Sequence, residues 1–354
     1  MNDLLIAPGK PAVRRLSQGE DAMSAPIGVP RRRVSAWLAV AAALPLLPGR
    51  LGATGETYPN RLIRIIVPWP AGAITDLTAR LIANQWAIDF NQPVIVENKT
   101  GAAGTIGHAA VAHAPADGYT VLFATNSTYA IAPNILASIP YENEKAFAPV
   151  GLVLRSPQML CVNPAVPVKT IPELLDYVQK HPNEVNFASA GIGSTSHMAM
   201  ELFMSLAHIR MQHVPYRGGA PALQAIVAGE TGVGFVDLST AASSADSGLL
   251  RMLGASTTER SAFRPNVPAI AETVPSFQST TDVALFVPAG TPGPVIHRLN
   301  TALKDAFKLP QVTRPMLEAG LILVAGSPEE FPQYFAEECG KWRKLIETQN
   351  IKLQ

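Results

Sequence analysis

The chain has 354 residues, of which 47% are hydrophobic, 16% charged and 6% aromatic, a length that builds about two domains with full-sized cores. Seven of the 28 basic and three of the 27 acidic residues fall within residues 1–55. The remainder is therefore slightly acidic, without the basic stripe that nucleic acid requires. Cys161 and Cys339 form no CxxC pair, which excludes a thiolate zinc knuckle, a redox motif and a disulfide-dense scaffold.

The first 55 residues read as a secretory signal. Arg31-Arg32-Arg33 precedes an apolar run from Val34 to Leu47, and small residues follow up to Gly55. The run is short of the roughly 20 residues a membrane span needs. Cleavage is placed near 53–55, with Met1 and Met23 both open as starts and a Sec or a twin-arginine route open for export. The mature protein is expected to be soluble and outside the cytoplasm.

From there strands and helices alternate. Leu62–Val67 is a β-branched run that reads as a buried parallel strand, broken by Pro68–Gly72. Asp76 then stands before a helical pattern at Leu77, Leu81, Ile82 and Trp86. Val94–Glu97 is a second strand, the glycine-rich Asn98–Gly107 a loop before another helix, and Val121–Ala124 a third strand leading to Thr125-Asn126-Ser127-Thr128. Two consecutive βαβ units make an open parallel sheet the default. A second cycle starts near Pro149, with strands at Val150–Leu154 and Met159–Val162. Thr170-Ile171-Pro172-Glu173 is a capping box with proline in the first turn. Val185–Ala188, Arg210–Val214, Val233–Val236, Leu250–Ala255 and Val283–Val287 read as further strands, His197–Ala207 and Ala220–Ala228 as helices. Two more helices start at Thr291 and near Gly326. The expected fold is α/β with two lobes, each a mostly parallel sheet flanked by helices.

In such sheets ligands sit beyond the carboxyl ends of the strands. Those ends are here Pro70–Asp76, Asn98–Gly107, Thr125–Thr128 and Ser189–His197, rich in Gly, Ser, Thr and Asn. Small residues let backbone amides approach a ligand, and each loop feeds a helix whose amino end carries partial positive charge. Enzyme signatures are weak. There is no GxGxxG followed by a ribose-binding acid, no P-loop and no GxSxG. The histidines show neither HExxH nor comparable metal spacing, so neither cofactor nor metal is expected. Ser194 or Ser196 with His197 leaves an exported hydrolase open as an alternative. Two buried thiols are expected at Cys161 and Cys339, although an oxidising compartment permits a disulfide.

Residues 58–72, YPNRLIRIIVPWPAG, resemble the amino-terminal signature of the Bug receptors, the TctC-like solute receptors of tripartite tricarboxylate transporters. The resemblance continues through QPVIVENKTGAAGTIG (92–107), Ala116–Thr120, YENEKAFAPVG from Tyr141 and ASAGIGSTSHMAMELF (188–203). It ends in HVPYRGG (213–219), VPAGTP from Val287 and a terminal helix containing Trp342, and so covers residues 58–354. It implies a non-catalytic periplasmic receptor with a ligand cleft between lobes. Lobe one would hold residues 56–154 and 283–354, lobe two residues 155–282, with crossings near Arg155 and Asp282.

The implied partners are a small organic acid and the membrane subunits of such a transporter, or a sensor kinase, with the receptor a monomer. By the same resemblance the acid is gripped in lobe one by Ala71, Gly72, Thr75 and Asp76, with Trp69 on the wall and Thr125, Asn126 and Ser127 beside them. In lobe two the implied grip is Ser189, Gly191, Gly193, Ser194, Thr195, Ser196 and His197, with Tyr216 and Asp237 added. Asp76, Thr195 and Ser196 are equally readable as helix caps; Arg217 invites a carboxylate clamp, but a solvated role is favoured. Ala73 stands where the family commonly has glycine, which narrows the loop's backbone freedom. Asp237 stands one place along from the family's acidic residue.

Overall fold

The computed structural model describes residues 58–182 and 184–351; the signal segment read above lies outside them. In chain order the elements are β1 (Ile63–Val67), α1 (Ile74–Phe90), β2 (Val94–Asn98), α2 (Thr105–Ala112), β3 (Thr120–Thr125), α3 (Ala132–Ile135), β4 (Phe147–Val162), α4 (Ile171–Lys180), β5 (Asn186–Ser189) and α5 (Thr195–Ala207). There follow β6 (Gln212–Pro215), α6 (Gly219–Ala228), β7 (Val233–Asp237), α7 (Leu238–Asp246), β8 (Arg251–Ala255), β9 (Thr280–Pro288), α8 (Gly293–Ala306), α9 (Pro310–Glu318), β10 (Ile322–Leu323) and α10 (Phe331–Gln349).

The strands run β2-β1-β3-β9-β4-β7-β5-β6, with β8 and β10 also paired to β4. Each lobe thus has a parallel core, β2-β1-β3 in one and β6-β5-β7 in the other, extended by antiparallel partners. The sheets are mixed rather than open and parallel throughout, because β9 returns late in the chain and inserts antiparallel between β3 and β4.

The two strands expected at 150–154 and 159–162 are one continuous strand. β4 pairs with β9 from Phe147 to Pro157, then with β7 and β8 from Gln158 to Val162. The polar residues between the two apolar runs are where it changes partners. There Arg155 Nε lies 3.4 Å from the Asp282 carboxylate on β9.

Both faces of the first sheet are covered, so its strands are apolar on both sides. Ile63, Ile65 and Val67 pack with Trp86 of α1, Leu299 of α8 and Met316 of α9. Ile66, Leu122 and Ala124 face the opposite core, with Trp342 and Phe331 of α10. In the second lobe Phe187, Phe203 and Phe235 centre one core, while Ile226, Val236 and Leu238 centre the other. Half of the expected capping box forms: Thr170 Oγ1 accepts from the Glu173 amide, while the Glu173 carboxylate reaches one residue further back and accepts from the Lys169 amide rather than from Thr170. Cys161 and Cys339 are free and buried.

Gly151 marks a register shift between β4 and β9 and has φ +152°. A Cβ there would stand 2.2 Å from the carbonyl oxygen of Gly326, which the Asn300 amide ties down together with Val150 O. Gly151→Ala is expected to destabilise the protein by about 2–4 kcal/mol through overpacking and backbone strain. Urea unfolding checks this, and a change below about 0.5 kcal/mol would mean that this backbone approach is soft.

Candidate functional site

The loop after β1 is fixed by a web of hydrogen bonds. Trp69 Nε1 donates to Thr125 Oγ1 at 3.0 Å, and that hydroxyl pairs with Ser127 Oγ at 2.7 Å. The loop turns at Gly72, with φ +83°. Ala73 has φ −69° and ψ 158°, ordinary extended backbone, so its methyl imposes no strain and the turn rests on Gly72 alone.

Asp76 was expected ahead of the helix, but α1 starts at Ile74 and Asp76 lies in its first turn. Its carboxylate reaches back to accept the Gly72 amide at 2.9 Å, and also accepts from Asn98 Nδ2 at 2.9 Å and from Arg80. Burial raises its pKa, and the hydrogen bonds from Arg80, Gly72 and Asn98 outweigh burial, leaving the carboxyl below its ordinary value. Asn98 also donates to Trp69 O, so β2, α1 and the loop form one unit.

The second loop, Ser189–Ser194, follows β5. Gly191 and Gly193 take positive φ, +119° and +76°. Ser194 is the N-cap of α5: its Oγ accepts the His197 amide and donates to Gly191 O at 2.7 Å. Ser196 Oγ accepts the Ala190 amide at 2.9 Å, and Ser189 Oγ pairs with His213 Nε2 at 2.6 Å. His197 Nδ1 accepts the Gly193 amide at 3.2 Å, which leaves its proton on Nε2, 3.5 Å from Glu201 Oε1. The imidazole thus braces the loop and is engaged with neither serine, so the hydrolase constellation is not assembled.

The two loops face each other across a cleft of about 550 Å³. Lobe one contributes Trp69, Ala71, Gly72, Thr75, Thr125 and Ser127; lobe two contributes Ser194, Thr195, Ser196 and Asp237. An adjoining space of about 400 Å³ shares Trp69, Ser127 and Ser194 and adds Gly193 and Tyr216. Tyr216 points its hydroxyl at Glu230 instead, at 3.3 Å. The other sequence-predicted residues stand behind the wall. Asp76, Ser189, Gly191 and His197 shape the loops through the bonds above. Asn126 is wholly buried: its amide nitrogen donates to Thr280 O and Glu338 Oε1, and its oxygen accepts from the Asp282 amide, tying the end of β3 to β9 and α10.

Several lining residues had been missed or set aside. Arg217 faces both spaces, and Gly218, Gly219 and Ala220 line the main cleft. The Gly-Gly turn ahead of an apolar helical pattern was the signal available for them. Gln158 and Thr281 also line it, from within β4 and β9. Thr281 Oγ1 pairs with Thr195 Oγ1 at 2.8 Å, and Gln158 Oε1 is buried without a hydrogen-bond partner. Mid-strand polar residues carry no sequence pattern that separates them from ordinary strand polarity.

Four helices begin at this cleft. The first turns of α1, α5 and α6 line it, and α7 follows directly from Asp237. Neither α1 nor α6 nor α7 has a side-chain cap, so their leading N–H groups are left for another acceptor. Their aligned dipoles make the cleft attractive to an anion, with Arg217 the cationic side chain on its lining. Asp237 is the exception in this field. Burial pushes its carboxyl up to about 6, against the lowering effect of Thr281, Ser156 and Gln158. Among the described residues no group of three or more His, Cys, Asp or Glu side chains is placed to hold a metal ion, and no helix is long and apolar enough to cross a membrane.

Residues 78–351 match the family described as "Tripartite tricarboxylate transporter family receptor". BugT of Bordetella pertussis is 31% identical over 303 residues, 85% of this chain and 93% of that protein. Among solved structures, an R. palustris protein with adipate superposes with a TM-score of 0.77 at 29% identity, over 83% of this chain and 99% of that one. MatC from Rhodopseudomonas palustris with bound malate superposes at 0.74 with 31% identity, over 82% and 100%.

Proposed function

Since the chain belongs to the tripartite tricarboxylate transporter receptor family, a family of solute-binding receptors and not of enzymes, we propose that it captures a small carboxylate in the periplasm and delivers it to a membrane transporter of that type. The observation that carries this reading is the convergence of helix amino termini from both lobes on a cleft walled by hydroxyls. A carboxylate there is held by backbone dipoles, as anions are at helix starts, with Arg217 the cationic side chain on the lining. Relatives bound to adipate and malate make dicarboxylates the first class to test. The unpartnered Gln158 Oε1 offers an acceptor to a ligand hydroxyl.

The lobes divide at residues 56–154 with 283–354 and at residues 155–282, and closure is a hinge about β4 and β9. Both strands pass from one lobe to the other beside Arg155 and Asp282, so twisting them reorients the lobes without breaking either core. A ligand touched by both loops favours the closed form, and that form is what the transporter reads.

Thr195→Ala removes the hydroxyl at the start of α5 and its hydrogen bond to Thr281 on β9. Calorimetric titration with a panel of dicarboxylates is expected to show the affinity fall about tenfold or more, as for a hydrogen bond to a charged group. A wild-type ligand at 100 times its dissociation constant raises stability by about 2.7 kcal/mol. Unchanged affinity in the variant would place the ligand elsewhere.

A further inference from the structure

We infer that the first lobe holds a second small-molecule site, a chamber between its sheet and α10 that takes a neutral aromatic ring bearing an O–H or N–H donor. The chamber measures about 130 Å³ and is walled by the rings of Phe147, Phe286, Phe331, Phe335 and Tyr129. His108 and Asn143 also line it, and each carries a buried polar atom that meets no partner, His108 Nε2 and Asn143 Oδ1.

Both atoms are acceptors. His108 is wholly buried and its Nδ1 sits 3.3 Å from Gly104 O, which assigns the ring proton to Nδ1 and leaves Nε2 with a free lone pair. Burial lowers its pKa to about 4, so the ring stays neutral. Asn143 Nδ2 donates to Tyr129 O at 2.8 Å, which orients Oδ1 as the free end. Tyr141, stacked on His108, has a buried hydroxyl that is likewise unpartnered.

Native proteins rarely leave such groups unmet, because each costs about 1–3 kcal/mol. Water alone answers the polar corner but not the aromatic walls, since apolar cavities of this size stay dry and accept benzene-sized rings. An amphipathic occupant answers both. A cation is disfavoured: the one carboxylate on the lining, Glu144, already faces Arg343 at 3.5 Å. The chamber lies apart from the carboxylate cleft and shares no lining residue with it.

The test is fluorine NMR of para-fluorophenol and of fluorobenzene with the mature protein. The phenol is expected to bind about tenfold tighter than fluorobenzene, the value of one well-made hydrogen bond. Asn143→Leu combined with His108→Phe, which removes both acceptors, should erase that preference while keeping ring binding, and Phe335→Trp, which fills the chamber, should abolish both. A crystal soaked in the phenol should place its oxygen against His108 or Asn143, which covers the case of a variant that fails to fold. Equal affinity for the two probes, binding indifferent to both variants, or a soaked chamber holding ordered water only would each overturn the assignment.

Discussion

Asp76→Ala is expected to lower stability by about 2–3 kcal/mol and to weaken carboxylate binding by at least about tenfold, although the side chain does not line the cleft. The carboxylate is 2% exposed and is the common acceptor of the Gly72 amide, Asn98 and Arg80. Its removal takes the acceptor from the Gly72 amide and from one of the two Asn98 N–H bonds, the bond to Trp69 O remaining. Arg80, with its side chain 45% exposed, recovers water and contributes less. The loop 70–73 then loses the bond that sets its approach to the ligand, and a small misplacement of such amides is costly. Asp76→Asn, which can still accept one bond but not the bidentate Arg80 contact, should fall between. Urea unfolding reads the first effect and titration with adipate or malate the second. A variant that is destabilised yet binds as well as wild type would show that the loop is placed by Trp69 and Asn98 without it.

Asp237 should make both stability and binding depend on pH. Its carboxyl is raised to about 6 in the folded protein, above the ordinary value of about 3.9 in an unfolded chain. The folded state therefore holds the proton more tightly, and stability falls as pH rises from about 4 through about 6. Asp237→Asn cannot ionise, so it should lack this decline and be more stable than wild type near pH 7. Binding follows the same sign. A ligand carboxylate beside Asp237 favours its protonated form, so affinity should rise as pH drops from about 7.5 to about 6, by up to about tenfold per pH unit for one linked proton. In the asparagine variant that slope should vanish. Thermal melts and calorimetry across this range check both parts. A wild-type affinity independent of pH would separate Asp237 from the bound carboxylate.

Much of this was legible in the sequence. Alternating β-branched runs and helical periods located most of the elements to within a few residues. The Gly/Ser/Thr loops at strand ends marked the cleft. What escaped had physical causes. The break at Arg155-Ser156-Pro157-Gln158 looks like a loop because it is polar, although it lies inside β4 where that strand changes partners. The helix α7 was passed over because Leu238-Ser239-Thr240-Ala241-Ala242-Ser243 has almost no apolar period, its buried contacts being Leu238 and Ala241 alone. Asp76 and Asn126 were expected at the ligand, yet neither lines the cleft, and what they do depends on partners 22 and 212 positions away. Residue type announces that a buried amide or carboxylate must be satisfied; only the fold says by whom.

The late position of β9 has a consequence for the order in which the protein can be built. Strands β3 and β4 are separated in the sheet by a strand that begins at Thr280. Until that segment has left the ribosome, the amino-terminal sheet has a gap at its centre and two bare edges, and Trp342, which fills its core, comes later still. The strands β5 to β8, in contrast, are complete by Ala255 and have their partner in the end of β4. The half synthesised first is thus the half that folds last. A product truncated before residue 280 lacks the strand that joins β3 to β4, so its amino-terminal sheet stays unfinished however well β5 to β8 have paired.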